Sequence, residues 1–338
     1  MVAPERPGIV PDPDGVPVDW IPSNRAGKAL VGTNLLSPVD AWSTLRLMRA
    51  GERLLLRAVR EHSIDMCLAM WAVPSGYLAW RVWSRTKVPY AVWTLGSDIN
   101  TFARYPLVRS LIRRILRSAA WRFADGIALA ERTKAVGGVG CEFLPTARRL
   151  PAAGERLDLP GRVRFLFVGR LERVKGIDVL IAAMARLRNE SGVHLYVVGS
   201  GTLQAEVAAQ IASAGLQEMV TVLPSVSSSQ LPAYMEACDC LVIPSRKESI
   251  PVVFSEALHA GIPVLMTDAG DMGRLAREHR LMEPPPPSDP VALAEAMRAF
   301  AADPAAHKRR FEEARPGLLK IFDLDAIADH FLSAVGIM

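Results

Sequence analysis

The sequence has little of what defines several large classes of protein. Its 338 residues include only four cysteines, too scattered for a disulfide framework or for paired zinc ligands. No apolar run approaches the roughly 20 residues that cross a bilayer. The first twenty residues are rich in proline and aspartate, where a signal peptide would need an apolar core. We therefore expect a cytoplasmic protein without a structural metal.

Features of nucleic-acid and metal sites are also scarce. Aromatic residues make up 7% of the chain and do not interleave with basic residues as in RNA-binding proteins. Asp12-Pro13-Asp14 matches a metal-binding Asp-x-Asp motif, but no strand precedes it and prolines surround it. The six histidines show no ligand spacing. The sequence predicts neither a nucleic-acid partner nor a bound metal.

The net charge of +5 hides an asymmetry between the halves of the chain. Residues 1–150 carry 21 Lys and Arg against 12 Asp and Glu, whereas residues 151–338 carry 19 against 23. A basic half suits nucleic acid, an anionic membrane surface or an anionic substrate, and charge alone does not choose among them. Half of the residues are hydrophobic, which at this length is enough for two buried cores.

Strand and helix patterns alternate along both halves, which predicts two α/β domains. The predicted strands are 66–71, 90–95, 126–130, 163–168, 194–198, 220–223, 240–243 and 263–266. The predicted helices include 42–61, 75–85, 106–123, 176–189, 202–214, 229–237 and 252–260. The predicted divisions are 1–150 for a front domain, 151–322 for a back domain and 323–338 for a helix that returns toward the front domain.

A first charged cluster follows the predicted strand 163–168. Arg170 and Lys175 lie around the start of the next helix, where free backbone N–H groups favour an anion. Two cations beside a helix N-terminus suit a diphosphate. Two solvated charges on an ordinary turn are the alternative.

A second cluster follows the strand 240–243. Pro251 suits the first turn of a helix, so Glu248 precedes that helix and Glu256 lies about 8 Å further along its axis. This spacing fits two hydroxyl-bearing groups on either side of a diphosphate. A capped helix with two solvated glutamates is the alternative.

A third element is the turn that contains Gly199-x-Gly201. Gln204 stands where a dinucleotide-binding motif needs its third glycine, and the strand 220–223 carries no acidic residue for a ribose. We therefore reject NAD and FAD, and we predict no cofactor.

Together these elements resemble the nucleotide-sugar domain of a GT-B glycosyltransferase of family 4, a retaining class. The resemblance covers residues 163–275 and depends on a VGRLxxxKG sequence, a VxGxG turn and two glutamates eight positions apart, Glu248 and Glu256. It implies an α/β fold of two Rossmann-like domains that face each other across a cleft. It also implies a nucleoside diphosphate sugar as donor and catalysis without a metal.

The resemblance assigns roles to individual residues. Arg170 and Lys175 would hold the diphosphate and stabilise the departing nucleotide, while Glu248 would bind a hydroxyl of the donor sugar; these three are the catalytic candidates. Glu256 would hold the ribose hydroxyls. The other donor-binding candidates are Gly169, Gly199, Gly201, Ser249, Ile250, Pro251 and Val252.

Residues 64–150 resemble the acceptor domain of the family. Residues 69–76 are similar to its strand-to-helix turn, and residues 92–98 to its HGxD turn. Leu95 stands where many members have histidine, as in an LGSD-type branch associated with surface polysaccharide assembly. Gly96 and Asp98 are the acceptor-side candidates, and a helix cap is the alternative role for Asp98.

The start of the chain differs from the family pattern. Members begin with a buried strand and a long helix, whereas residues 1–4 already resemble the end of the second strand. Residues 1–22 contain six prolines and no apolar run of four, so we expect that the first strand of the family is not hidden in them. We expect an incomplete front sheet with an exposed apolar groove. Either the gene product starts roughly 40 residues upstream, or the chain is inactive or needs a partner.

Residues 104–122 hold six arginines and no acidic residue, on a helical apolar period. They fit either an anionic lipid surface that carries the acceptor or a core helix with a solvated basic face. The first interpretation places the protein peripherally on the inner face of the cell membrane.

The predicted function is transfer of a hexose from a nucleoside diphosphate sugar to a surface-polysaccharide or lipid-linked glycan acceptor. One alternative is a non-catalytic nucleotide-sugar-binding remnant or partner subunit. Another is a GT-B-like sugar epimerase, which depends on acids and histidines that the sequence does not place in the cleft. Separation of hydrolysed, epimerised and transferred products distinguishes them.

Overall fold

The computed structural model describes residues 2–4, 18–21, 38–154 and 156–337. The chain divides into two compact units, Met1–Phe143 and Leu144–Met338. The sequence places this division at residue 150. The structure places it earlier, after Phe143, and Arg148 and Arg149 bind residues of the second unit.

The first unit is an α/β unit. Its elements in chain order are β1 (Val2–Pro4), β2 (Asp19–Ile21), α1 (Pro38–Glu61), β3 (Cys67–Met70), α2 (Gly76–Thr86), β4 (Tyr90–Thr94), α3 (Ser97–Asn100), α4 (Pro106–Ser118), β5 (Trp121–Ala124), α5 (Ile127–Gly137) and β6 (Glu142–Phe143). Strands β3, β4, β5 and β6 form a parallel sheet in that order. Tyr90 and Val92 on β4 are fully buried against Ile112, Ile115 and Leu116 of α4, as expected for an inner strand between helices.

One predicted strand of this unit is wrong. Residues 127–130 form the first turn of helix α5, and the strand lies earlier, at β5, which overlaps the end of the predicted helix 106–123. Helix α4 ends because Ala119 adopts an extended backbone, after which the Ala120 N–H joins the Tyr90 carbonyl of the sheet at 2.9 Å. A short apolar run does not by itself separate a buried strand from a helix segment.

The start of the chain contains two short strands. Strand β2 pairs with β1 in a separate two-stranded parallel sheet. Among the described residues β3 has one neighbour, β4, and its Leu68 and Met70 are 44% and 39% exposed. These side chains form an apolar sheet edge, and the missing first strand stays a prediction. The predicted upstream start stays a prediction, and Asp12–Asp14 lies outside the described residues.

Three of the six arginines of the segment 104–122 donate hydrogen bonds to backbone carbonyls of the first unit. Arg113 and Arg117 donate Nε–H to the carbonyls of Val136 and Gly137 at 3.1 and 3.0 Å, at the C-terminal end of α5. Arg122 donates to the Ala119 carbonyl at 2.5 Å. Cations at a helix C-terminus satisfy its last carbonyls and its dipole. These contacts favour the core-helix interpretation for this half of the segment.

The second unit contains a five-stranded parallel sheet. Its elements are β7 (Val163–Val168), α6 (Ile177–Arg186), β8 (Val193–Val198), α7 (Gln204–Ser213), β9 (Val220–Leu223), α8 (Leu231–Ala237), β10 (Cys240–Ile243), α9 (Val252–Ala260), β11 (Val264–Met266), α10 (Met272–Glu278), α11 (Pro290–Ala302), α12 (Pro304–Phe322) and α13 (Leu324–Val335). All five predicted strands of this half are confirmed to within one residue at each end.

The sheet order is β11-β10-β7-β8-β9, so β7 lies at the centre. Successive strands run outward on one side from β7 to β9, and the chain then crosses back to place β10 on the other side. The strand order therefore reverses between β7 and β10, which is where doubly wound sheets bind ligands. Helix α13 lies in this second unit, and its predicted return toward the front domain stays a prediction. The helices within the described ranges include none with the length and apolarity to cross a bilayer.

Candidate functional site

The charged clusters lie on loops at the carboxyl ends of β7 and β10, the two strands at the reversal point. Lys175 Nζ contacts Glu248 Oε2 at 2.5 Å, and both side chains are about one-fifth exposed, at 22% and 20%. The hydroxyl of Ser245 lies 3.4 Å from the same carboxylate oxygen. The structure thus brings together two predicted site residues that are far apart in the sequence. Arg170 has another partner, Glu172 at 2.5 Å, and is 68% exposed.

Arg246 holds these two loops together. Its guanidinium donates to both carboxylate oxygens of Asp178 at 2.6 and 2.7 Å and to the Arg173 carbonyl at 2.6 Å. Its backbone N–H donates to the Val174 carbonyl at 2.9 Å. Burial acts to raise the pKa of Asp178, but the hydrogen bonds and charge of Arg246, together with the charge of Arg173 and a backbone N–H, outweigh it and the pKa is lowered. Sequence reasoning missed Arg246 and Asp178, since neither belongs to the motif residues.

The glycines of the site are required by the packing of the chain against itself. Gly176 has φ +71°, and a Cβ there would lie 1.9 Å from the Pro244 carbonyl oxygen. A Cβ at Gly199 would lie 1.9 Å from the carbonyl oxygen of Gly169. A Cβ at Gly201 would lie 2.5 Å from a backbone atom of the loop that follows β7. These distances leave no room for any other residue. Contact of Gly199 and Gly201 with a nucleotide stays a prediction.

Helix α9 begins beside the Lys175–Glu248 pair. Pro251 precedes its first residue, Val252, in an extended conformation, and no side chain of the described residues caps the helix. Uncapped N–H groups at a helix start favour an anion. Ile250 is buried, and the buried hydroxyl of Ser249 has no partner within the described ranges. The loop thus brings an unsatisfied hydroxyl and a helix N-terminus to one place.

Glu256 lies in the second turn of α9 and is 2% exposed. Arg148 contacts its Oε1 through both Nε and Nη2. Burial raises the pKa of Glu256, although Arg148 acts in the opposite direction. Sequence reasoning missed Arg148 because it lies 108 residues from its partner and belongs to none of the motifs.

The acceptor-side candidates Gly96 and Asp98 lie in the first unit. Asp98 is fully buried, and its carboxylate accepts the N–H of Ala72 at 2.7 Å and that of Gly96 at 3.1 Å. Burial raises the pKa of Asp98 against these bonds. Asp98 therefore ties the turn after β3 to the turn after β4. Gly96 immediately precedes α3, so the carboxylate also binds an N–H at the start of this helix, and the helix-cap alternative for Asp98 stays open. Acceptor contact stays a prediction.

The described residues contain no group of three or more histidine, cysteine, aspartate or glutamate side chains placed to hold a metal ion. All four cysteines are free, and Cys238 and Cys240 are buried. Burial raises the pKa of the Cys238 thiol to about 12, so the thiol stays protonated at neutral pH. The site is accordingly described by its Lys, Arg and Glu side chains.

The match to a protein family lies in the second unit. A family model described as Glycosyl transferases group 1 matches residues 156–316. A glycogen synthase of Mycobacterium tuberculosis is 32% identical over 204 residues, which are 60% of this chain and 48% of that protein. TuaC of Bacillus subtilis, which its name assigns to teichuronic acid biosynthesis as a glycosyltransferase, is 29% identical over 72% of this chain and 64% of its own. This chain spans about half the length of the first relative.

Solved structures extend the likeness to both units. HepE of Anabaena, solved in complex with UDP, has a TM-score of 0.74 at 17% identity and matches 95% of this chain and 86% of its own. Sucrose-phosphate synthase of Thermosynechococcus elongatus has a TM-score of 0.71 at 20% identity and matches 89% and 80%. At these identities the likeness shows the fold, two Rossmann-like domains with parallel sheets. Residues 156–316 are thus similar to the group 1 glycosyltransferases, in a chain with the GT-B fold.

Proposed function

We propose that this protein transfers a hexose from a nucleoside diphosphate sugar to a surface-polysaccharide or lipid-linked glycan acceptor, with retention and without a metal. The observation that carries the proposal is the Lys175–Glu248 pair at 2.5 Å, which lies at the reversal point of the sheet beside the uncapped start of α9. A cation and a helix N-terminus at one place suit a diphosphate. The adjacent carboxylate suits a sugar hydroxyl.

The chemistry follows from this arrangement. The bond between the anomeric carbon and the diphosphate oxygen breaks, and negative charge develops on the departing diphosphate. Lys175, Arg170 and the start of α9 stabilise that charge, which is the largest contribution expected of such a site. The acceptor oxygen bonds to the same face of the anomeric carbon, and its proton passes to a phosphate oxygen of the leaving group.

The relatives suggest a donor class for the first trials. HepE is described in complexes with UDP and with UDP-glucose, and the Mycobacterium relative is named glycogen synthase. TuaC is named for teichuronic acid biosynthesis. We therefore propose nucleoside diphosphate glucose and related hexoses as donors. The competing function, nucleotide-sugar binding without transfer, shares the same donor site.

The donor proposal predicts a defined product. Incubation with radiolabelled UDP-, GDP- and ADP-hexoses and an extract of lipid-linked glycans is expected to place label on the glycan with α-configuration retained. Free labelled sugar alone indicates hydrolysis, and an altered nucleotide sugar indicates an epimerase; either result contradicts the proposal.

Nucleotide affinity is expected to weaken on acidification. Burial raises the pKa of Glu256 above its usual range, so on acidification this carboxylate becomes protonated at a higher pH than an exposed glutamate does. The protonated group accepts ribose hydroxyls poorly, so affinity is lost as the carboxylate becomes protonated. A Glu256→Gln variant is expected to show weak binding without this dependence, measured by calorimetric titration at pH 5 to 8.

We further propose a peripheral location on the cytoplasmic side of an anionic membrane. Leu107 is 87% exposed and Tyr105 is 62% exposed at the start of α4, next to Arg104 and Arg109. Two exposed apolar side chains among basic ones suit the headgroup region. Co-sedimentation with phosphatidylglycerol vesicles is expected to fall several-fold in Leu107→Ser, whereas Leu332→Ser, another exposed leucine, serves as the control. Equal sedimentation of both variants would contradict the location.

A further inference from the structure

We infer that Arg148 is a positioning residue for Glu256, which keeps the carboxylate charged and oriented so that its second oxygen accepts the ribose hydroxyls of the nucleotide. The inference rests on the proposed function, which assigns the ribose to Glu256. It concerns a residue outside the motifs, in the segment that follows β6.

The burial of Glu256 creates the need for a cation. A carboxylate that is 2% exposed has lost most of its hydration, and a charged group in such a place needs a partner of opposite charge. A ribose diol is neutral and cannot supply that charge. Arg148 can, and because its own side chain is 50% exposed, the guanidinium keeps much of its hydration.

The geometry of the contact leaves room for a second ligand. Both nitrogens of Arg148 that contact Glu256, Nε and Nη2, go to the same oxygen, Oε1. An ionised carboxylate offers about four acceptor positions on its two oxygens. A bidentate pair would occupy both oxygens, whereas this contact uses one. Arg148 and a ribose can therefore bind Glu256 together.

A backbone hydrogen bond also holds Arg148 close to Glu256. The Arg148 N–H donates to the hydroxyl of Ser255 at 3.0 Å, and that hydroxyl donates to the Val252 carbonyl at 2.8 Å. Residue 148 is thus tied to the first turns of α9, the helix that carries Glu256. Its neighbour Arg149 has different partners, Asp323 at 2.7 Å and Asp325 at 3.1 Å. Arg149 is therefore a matched control.

The test compares ribonucleotides with their 2′-deoxy counterparts. Calorimetric titration of the full chain with UDP, GDP and ADP identifies the tightest probe, and the same titration with its 2′-deoxy form gives the preference for the ribose hydroxyl. We expect a wild-type preference of about tenfold or more. In Arg148→Ala, affinity for the ribonucleotide is expected to fall about 10- to 100-fold while the deoxy affinity changes little, so the preference is lost.

The variants separate this role from a merely structural one. Arg148→Lys is expected to recover most of the preference because it restores the charge, while Arg148→Gln is not, and Arg149→Ala should keep the wild-type preference. A variant that is simply less stable loses both affinities together and leaves the preference unchanged. An Arg148→Ala protein with wild-type preference, or with tighter ribonucleotide binding, would overturn the inference. A wild type without preference, whose affinity survives Glu256→Gln, would instead refute the assignment of ribose to Glu256.

Discussion

Replacement of Lys175 by alanine is expected to lower the kcat/KM for sugar transfer at least about 10³-fold, the range seen when a group that stabilises developing negative charge is removed. Lys175 is about one-fifth exposed and contacts Glu248 at 2.5 Å. Its loss removes the cation beside the departing diphosphate and leaves the half-buried Glu248 carboxylate without its partner. Nucleotide affinity falls as well, because part of the interaction exists in the ground state.

Arg173→Ala is the matched control for this measurement. Arg173 lies in the same turn, Arg173–Lys175, and carries the same charge, but its side chain binds Asp178 and Glu206 and is 60% exposed. We expect Arg173→Ala to stay within tenfold of the wild type. A Lys175→Ala enzyme that transfers sugar as fast as Arg173→Ala would remove Lys175 from the catalytic site.

Gly176→Ala is expected to destabilise the second unit strongly, although it adds a single methyl group. The residue has φ +71°, and the added Cβ would lie 1.9 Å from the Pro244 carbonyl oxygen, a backbone atom at the end of β10. Because that atom cannot move away without disturbing the sheet, we expect a loss of about 3–5 kcal/mol in the free energy of unfolding. For a unit of this size, the melting temperature would fall by about 10 °C, measured by calorimetry.

Gly215→Ala isolates the contribution of the clash. Gly215 has nearly the same backbone conformation, φ +66°, but no atom of the described residues lies within 4 Å of the position of its Cβ. The substitution therefore carries only the left-handed conformational penalty, about 1–2 kcal/mol. If both variants melted at the same temperature, the close approach of the Gly176 turn to Pro244 would not account for any loss of stability.

The sequence predicted most of the second unit because its elements follow local rules. Each strand of the back half is a short apolar run with a turn at each end, and the motif glutamates lie where helix geometry places them. The prediction of a strand at 126–130 was wrong because this apolar run suits both a buried strand and the start of α5. Only the pairing of β5 with β4 shows which segment is the strand. Local patterns carry no information about such pairing.

The parts of the site that sequence reasoning missed depend on distant contacts. Arg246 binds Asp178 across 68 residues and Arg148 binds Glu256 across 108. A single arginine in a loop has no periodicity or spacing that identifies its partner. Gly176 and Gly199 were recognisable as motif glycines, but the atoms that exclude a side chain there belong to other loops and become known only from the structure.

The central position of β7 determines which strands of the second unit separate first in partial unfolding. Strand β7 is hydrogen-bonded to β8 on one side and β10 on the other, whereas within the described residues β9 and β11 each have one neighbour. Edge strands fray at low free-energy cost, while the central strand separates only when the whole sheet opens. The loops that carry Lys175 and Glu248 are attached to β7 and β10, so partial local unfolding at the sheet edges leaves them assembled. The site is thus protected from the commonest fluctuations of its own scaffold.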